Sequence, residues 1–315
     1  MAAFVQWASA ASAAAHRRDD MRTPGSVARR IRIQSMRSMN SGGPDVALLL
    51  PDSALFPGVP RRACVKRFSE PDAAGLASAD HVIVLVSLAN LEWAGPTIKI
   101  ANERRVLRWI LLGVSKDEQR DLLPPFLNHV RIRCFRNALA VGSESAIPRR
   151  IVNAFCIGAE AELIADATAV DDQLFVVNCA ADSWLVPFER IRAMRQIPRS
   201  RRADFIVAED GSHIVWPSHD VHLDLQSIRF AGDPEYRDKV IADSLLSNRK
   251  LGEAIAKLRG EAALRQSDIE GLSERQVRRI EHGEGGSLGA FRLLATAHGM
   301  EVAEYLDRLA METGR

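Results

Sequence analysis

His81-Val-Ile-Val-Leu-Val86 is an apolar run broken by a single polar residue at its start. An uninterrupted run of this length fits a strand covered on both faces, as in a parallel sheet. A strand with one wet side would alternate instead. Working outward, similar runs recur at Asp45-Val-Ala-Leu-Leu-Leu50, Ala63-Cys-Val65, Val106-Leu-Arg-Trp-Ile-Leu-Leu112 and Val130-Arg-Ile-Arg-Cys-Phe135. Polar, helix-prone stretches at Ser115–Leu123 and Ile147–Glu162 separate some of them. Strands alternating with helices predict a small doubly wound α/β domain over residues 43–160, with a sensory, dimerising or docking role. The 106–112 run fits a buried helix equally well.

From residue 163 to 232 the texture changes to hairpins. Gln173-Leu-Phe-Val-Val177 and Trp184-Leu-Val186 flank polar Asn178–Ser183, and His213-Ile-Val-Trp216 and Val221-His-Leu-Asp-Leu225 flank Pro217–Asp220. Val170-Asp-Asp172 lies 38 residues before Ala208-Glu-Asp210, and each half closes on an Ile-Arg pair, Ile191-Arg192 and Ile228-Arg229. This spacing predicts a duplicated β-hairpin domain of α+β type. The chain then turns all-helical over 245–312. Leu251, Ile255 and Leu258, then Leu288, Phe291 and Leu294, then Val302, Leu306 and Leu309 recur at helical spacing, with Gly271, Gly283 and Gly299 as stops.

Within that bundle, Leu264-Arg-Gln-Ser-Asp-Ile-Glu-Gly-Leu-Ser-Glu-Arg-Gln-Val-Arg-Arg-Ile-Glu-His-Gly283 carries the functional signal. Ser273 and Gln276 form an S-x-x-Q capping box that starts a helix. Val277 and Ile280 must face the bundle, which turns Arg275, Arg278, Arg279 and His282 away from it. Apolar anchors behind and long donors in front suit a helix that enters a DNA major groove, where arginine reads guanine O6 and N7. The C-terminal stretch resembles the lambda-repressor/Cro (Xre-like) class of helix-turn-helix domains. Arg249–Arg259 resembles that family's first helix, Leu264–Ile269 its second and Ser273–Gly283 its third; the second is about one turn short. The resemblance implies a sequence-specific, DNA-binding transcriptional regulator of the repressor type, working as a homodimer on double-stranded DNA. Its implied contacts are Gln266, Ser273, Glu274, Arg275, Gln276, Arg278, Arg279 and His282.

The middle segment, through Ile214-Val-Trp-Pro217 and Asp220-Val-His-Leu-Asp-Leu225, resembles a small bacterial domain of unknown function found beside such modules. That supports an alternative: an antitoxin-like protein-interaction module that binds a neighbouring gene product at the hairpin domain and autoregulates its operon. Asp220, His222 and Asp224 share one face of a strand in the alternation pattern, an arrangement open to a metal but more often a plain polar face. No cofactor motif is present: G-x-G-x-x-G is absent and Ala140-Val-Gly-Ser-Glu-Ser145 lacks the glycines of a phosphate loop. A receiver-like phosphoacceptor is disfavoured, because Asp52 follows the first run alone and the third ends in Ser87. With no nucleophile–base–acid set, the expectation is a non-enzyme.

The 315 residues, 47% hydrophobic with a net charge of +2, exclude a disulfide-stapled miniprotein and a wholly disordered chain. Cys64, Cys134, Cys156 and Cys179 form no C-x-x-C pair, which fits reduced thiols in the cytoplasm. No run is long enough to span a membrane. Residues 1–42 are Ala-, Ser- and Arg-rich and acid-poor. They read as a disordered basic tail or as the product of a start codon placed too far upstream, the real start being Met36 or Met39, with an organelle transit peptide as the alternative.

Overall fold

The structure, a computed structural model, describes residues 44–51, 56, 58–59, 62, 64–70, 75, 78–113, 137–142 and 145–314. The chain forms two compact units that divide between Gly232 and Asp233. The first unit contains a five-stranded parallel sheet of β1 (Val46–Leu49), β2 (Val65–Phe68), β3 (His81–Ser87), β4 (Leu107–Gly113) and β5 (Ala138–Val141), in the order 2-1-3-4-5. This is the order of the flavodoxin-type doubly wound sheet. Alternate residues leave the sheet on opposite faces. Ala47, Leu49, Val82, Val84 and Val86 meet α1 (Leu91–Glu103) through Leu91, Ala94 and Ile98. Val46, Leu48, Ile83, Leu85, Trp109 and Leu111 meet α2 (Ile147–Ile157) through Ile151, Val152 and Phe155. Burial on both faces is what the continuous apolar runs require.

Residues 107–113 are strand, not helix, because the segment pairs with β3 on one side and β5 on the other. The expected strand 130–135, helix 115–123 and tail 1–42 lie outside the described residues. Ala140-Val141, weighed above as part of a phosphate loop, ends β5.

Each half of residues 163–232 is a three-stranded antiparallel meander rather than a lone hairpin. The first comprises β6 (Ile164–Val170), β7 (Gln173–Asn178) and β8 (Ser183–Pro187); the second comprises β9 (Ile206–Val207), β10 (His213–Trp216) and β11 (Val221–Asp224), followed by α3 (Leu225–Gly232). The additional strands β6 and β9 precede the sequence hairpins and pair across the Asp171-Asp172 and Glu209–Ser212 turns. Both meanders share one core, in which Leu174, Val176 and Val186 pack with Ile214, Trp216 and Leu223. Gly211 (φ 76°) makes this junction: its carbonyl accepts from Ile164 N–H at 2.7 Å, and a Cβ there would lie 2.6 Å from the Ile164 carbonyl. The first meander also joins the parallel sheet. Ala165, Val177 and Cys179 belong to the core under α2, and Trp109 Nε1 donates to the Cys179 carbonyl at 2.6 Å.

The second unit is helical: α4 (Pro234–Glu261), a 3₁₀ turn (Gln266–Asp268), α5 (Glu274–Glu281), α6 (Leu288–Ala297) and α7 (Val302–Thr313). The first helix begins at residue 234, not near 245, because Pro234 sits in its opening turn and Asp233 Oδ1 caps Tyr236 N–H at 3.0 Å. The expected second helix, Leu264–Ile269, is a single 3₁₀ turn. It is confined between Ala263 (φ 56°) and Gly271 (φ 84°), two left-handed positions that break a helix on either side. Asp268 closes it by accepting the Arg265 N–H at 2.7 Å.

Candidate nucleic-acid interface

The capping box read from the sequence starts α5. Ser273 Oγ accepts from Gln276 N–H at 3.3 Å, and Gln276 Oε1 accepts the Ser273 N–H at 2.9 Å. Val277 and Ile280 are buried against Ala254, Ile255, Leu258 and Leu294 of the neighbouring helices. Arg275, Arg278, Arg279 and His282 are all exposed. At 3.6 residues per turn they share an arc of about 100° opposite the two anchors. The side chains of Arg275, Arg278 and His282 have no hydrogen-bond or ion-pair partner among the described residues, whereas Arg279 Nε donates to Glu284 Oε2 at 2.5 Å.

A buried ionic cluster fixes the angle of α5. Glu281 points inward, its side chain 8% exposed, and accepts from Arg259 Nε at 2.5 Å and from Arg259 Nη2 at 3.3 Å. Gln266 Nε2 donates to the same carboxylate at 2.6 Å, and Arg259 Nη1 donates to the Leu264 carbonyl at 2.7 Å. One carboxylate thus ties α4, the 3₁₀ turn and α5, and its hydrogen bonds hold the Arg259 guanidinium above its ordinary pKa. Tyr305 is fully buried nearby, and burial together with the Glu281 charge pushes its phenol up to about 12. Two glycines allow the helices to touch. A Cβ on Gly252 of α4 would lie 2.4 Å from the Glu281 carbonyl, and one on Gly283 (φ 83°) would lie 2.8 Å from Arg249 Cα.

Seven of the eight residues expected to contact DNA are exposed on or beside α5: Ser273, Glu274, Arg275, Gln276, Arg278, Arg279 and His282. Gln266 is not with them, because its amide is spent on Glu281 and it holds α5 rather than facing outward. Ser273 and Gln276 are likewise occupied with each other in the cap. Arg259, Glu281 and Gly252 were missed as positioning residues. Periodicity alone sets Glu281 on the same side as Val277, and a charge on an apolar face signals a buried partner without saying which.

The metal alternative does not assemble. Among the described residues no group of three or more His, Cys, Asp or Glu is placed to hold an ion. Asp220 lies in the turn before β11 at φ 50°, and Asp224 Oδ1 accepts the Ser227 N–H at 2.7 Å to start α3. Trp216, in the Trp-Pro step of the hairpin domain, is fully buried; its Nε1 donates to the Arg202 carbonyl at 2.9 Å and its ring packs on Phe205. No helix among the described residues is long and apolar enough to cross a membrane. No protein-family model matches the chain, and no match is found among the curated proteins or the solved structures.

Proposed function

We propose that the chain is a sequence-specific regulator of the repressor type, which binds double-stranded DNA by laying α5 in the major groove. The observation that carries this reading is the outward arc of Arg275, Arg278, Arg279 and His282 on a capped helix whose orientation is set by Arg259, Glu281 and Gln266. Arg275 and Arg278, nearest the capped end and unpaired, are assigned to base edges, where a bidentate arginine–guanine contact is worth about 1–3 kcal/mol of discrimination. Arg279 and His282, a turn farther on, are assigned to phosphates. Residues 245–315 hold 11 Lys/Arg against 11 Asp/Glu, so the net field of this stretch adds little, and the local arc must supply the attraction. The 3₁₀ turn takes the place of the second helix expected from the Xre-like resemblance, and the Glu281 cluster does the positioning that helix would have done.

The test is selection from random DNA by the full chain, followed by binding titrations. Arg275→Ala with Arg278→Ala should abolish preference for the selected sequence. Arg279→Ala should weaken binding to all sequences and lower the salt slope by about one. Retained preference in the double variant, with its helical signal intact, overturns the assignment. A protein-interaction reading at the hairpin domain would have to do without Trp216, which is buried.

A further inference from the structure

The charges of residues 163–232 are sorted by sign. This span holds ten Asp and Glu against seven Arg and no Lys, yet six of the arginines fall between residues 190 and 202, where there is no acid at all. Three successive 3₁₀ turns, Phe188–Arg190, Arg192–Gln196 and Arg199–Arg201, carry the run between the two meanders. Phe188, Ile191, Met194 and Ile197 are buried at every third position, and the N–H groups of the last three each donate to the carbonyl three residues back, at 3.1, 2.9 and 3.1 Å. This anchoring fixes the backbone and leaves Arg190, Arg192, Arg195, Arg199 and Arg201 exposed. Arg192 and Arg195, three apart in one 3₁₀ turn, lie one above the other, about 6 Å apart along its axis.

The fold neutralises only part of this charge. Arg202 donates to Asp172 at 2.8 Å and lies over the Phe188 ring, Arg199 reaches the same carboxylate at 3.9 Å, and Arg201 pairs with Asp204 at 3.1 Å. The side chains of Arg190, Arg192 and Arg195 have no hydrogen-bond or ion-pair partner among the described residues. Like charges on adjacent turns repel, so the arrangement weakens the fold slightly and suits a partner that brings negative charge.

What surrounds the arginines narrows the partner. A protein interface is built on apolar anchors, and every large apolar side chain from Phe188 to Asp204 is turned into the core. Single-stranded nucleic acid is held by exposed aromatic rings, and the one aromatic residue of the run, Phe188, is buried. What remains is charge on planar guanidiniums, which match phosphate oxygens two at a time and suffice for binding a duplex backbone. We propose that the Arg190–Arg202 surface is a sequence-independent binding site for the phosphate backbone of double-stranded DNA. The choice of DNA over other phosphate polymers rests on the reading of α5, and the site adds the non-specific attraction that the balanced charge of residues 245–315 lacks.

Salt titrations of the full chain on a random-sequence duplex, and on the duplex it selects, test the site. Arg192→Ala with Arg195→Ala should weaken binding to both duplexes by the same factor, at least about tenfold, and lower the slope of log K against log salt by about two. Its melting temperature should not change, because both side chains stand in solvent. Arg192→Lys with Arg195→Lys preserves the charge and should preserve the slope. An unchanged slope in the alanine variant overturns the proposal, as does a lysine variant with a slope as low as the alanine one. Tighter binding of single-stranded DNA or of RNA than of duplex DNA also overturns it, and so does a wild type that binds no random duplex. Failure of the α5 reading looks different: no sequence is preferred, while the random duplex is still bound with a slope that falls in the alanine variant.

Discussion

Replacing Glu281 by alanine tests whether the buried cluster is what holds α5. The substitution leaves the Arg259 guanidinium, in a side chain 18% exposed, with only the Leu264 carbonyl, and leaves the Gln266 amide unpaired. Breaking a buried pair from one side costs about 3–5 kcal/mol, and the water that reaches Arg259 sets the expectation near 3. For a helical unit of this size that is a fall of at least about 12 °C in its melting temperature. Urea denaturation of the full chain, followed by helical ellipticity and fitted as two transitions, should show the loss in one transition only. Arg259→Ala should cost a similar amount, and the double variant little more than either, because removing both partners leaves no orphaned charge. At low temperature, where the unit is still folded, Glu281→Ala should also lose DNA affinity although Arg275 and Arg278 are untouched. Costs below about 0.5 kcal/mol, or single costs that simply add, would refute the claim that this carboxylate fixes the helix.

Two glycines of α4 should respond to alanine with opposite signs. Gly260→Ala meets nothing within 4 Å and should stabilise by roughly 0.5 kcal/mol, whereas Gly252→Ala drives a Cβ onto backbone carbonyls and should destabilise by about 1–3 kcal/mol despite its better helix propensity. Burial raises the Asp166 carboxyl to about 6, against the opposing charge of Arg150. The folded state therefore holds a proton that the unfolded chain has lost, and stability should decline as pH rises from about 4 through 6. Asp166→Asn should flatten that slope in thermal melts, and an unchanged slope would refute the burial argument. Burial pushes the Cys156 thiol, beside Cys64, and the Cys179 thiol up to about 12. At pH 8 each is thiolate to about one part in ten thousand, so iodoacetamide should label both only after unfolding, as read by mass spectrometry.

The sequence by itself determined the elements whose signal is local. The apolar runs at 45–50 and 81–86 fit strands covered on two sides, and the Ser273–Gln276 box with Val277 and Ile280 set both the start and the buried face of α5. Periodicity and capping act within a few residues of chain, so they are written in it. Tertiary structure decided what depends on partners far away in sequence. It made 107–113 a strand by supplying neighbours on both sides, and it turned Trp216 inward because the second meander shares a core with the first. It took Gln266 out of the candidate interface because the carboxylate it bonds lies 15 residues on, and joined Arg259 to Glu281 across 22. Such pairings depend on where the packed helices bring two side chains together, and hydrophobic patterning leaves charged pairs of that kind undetermined.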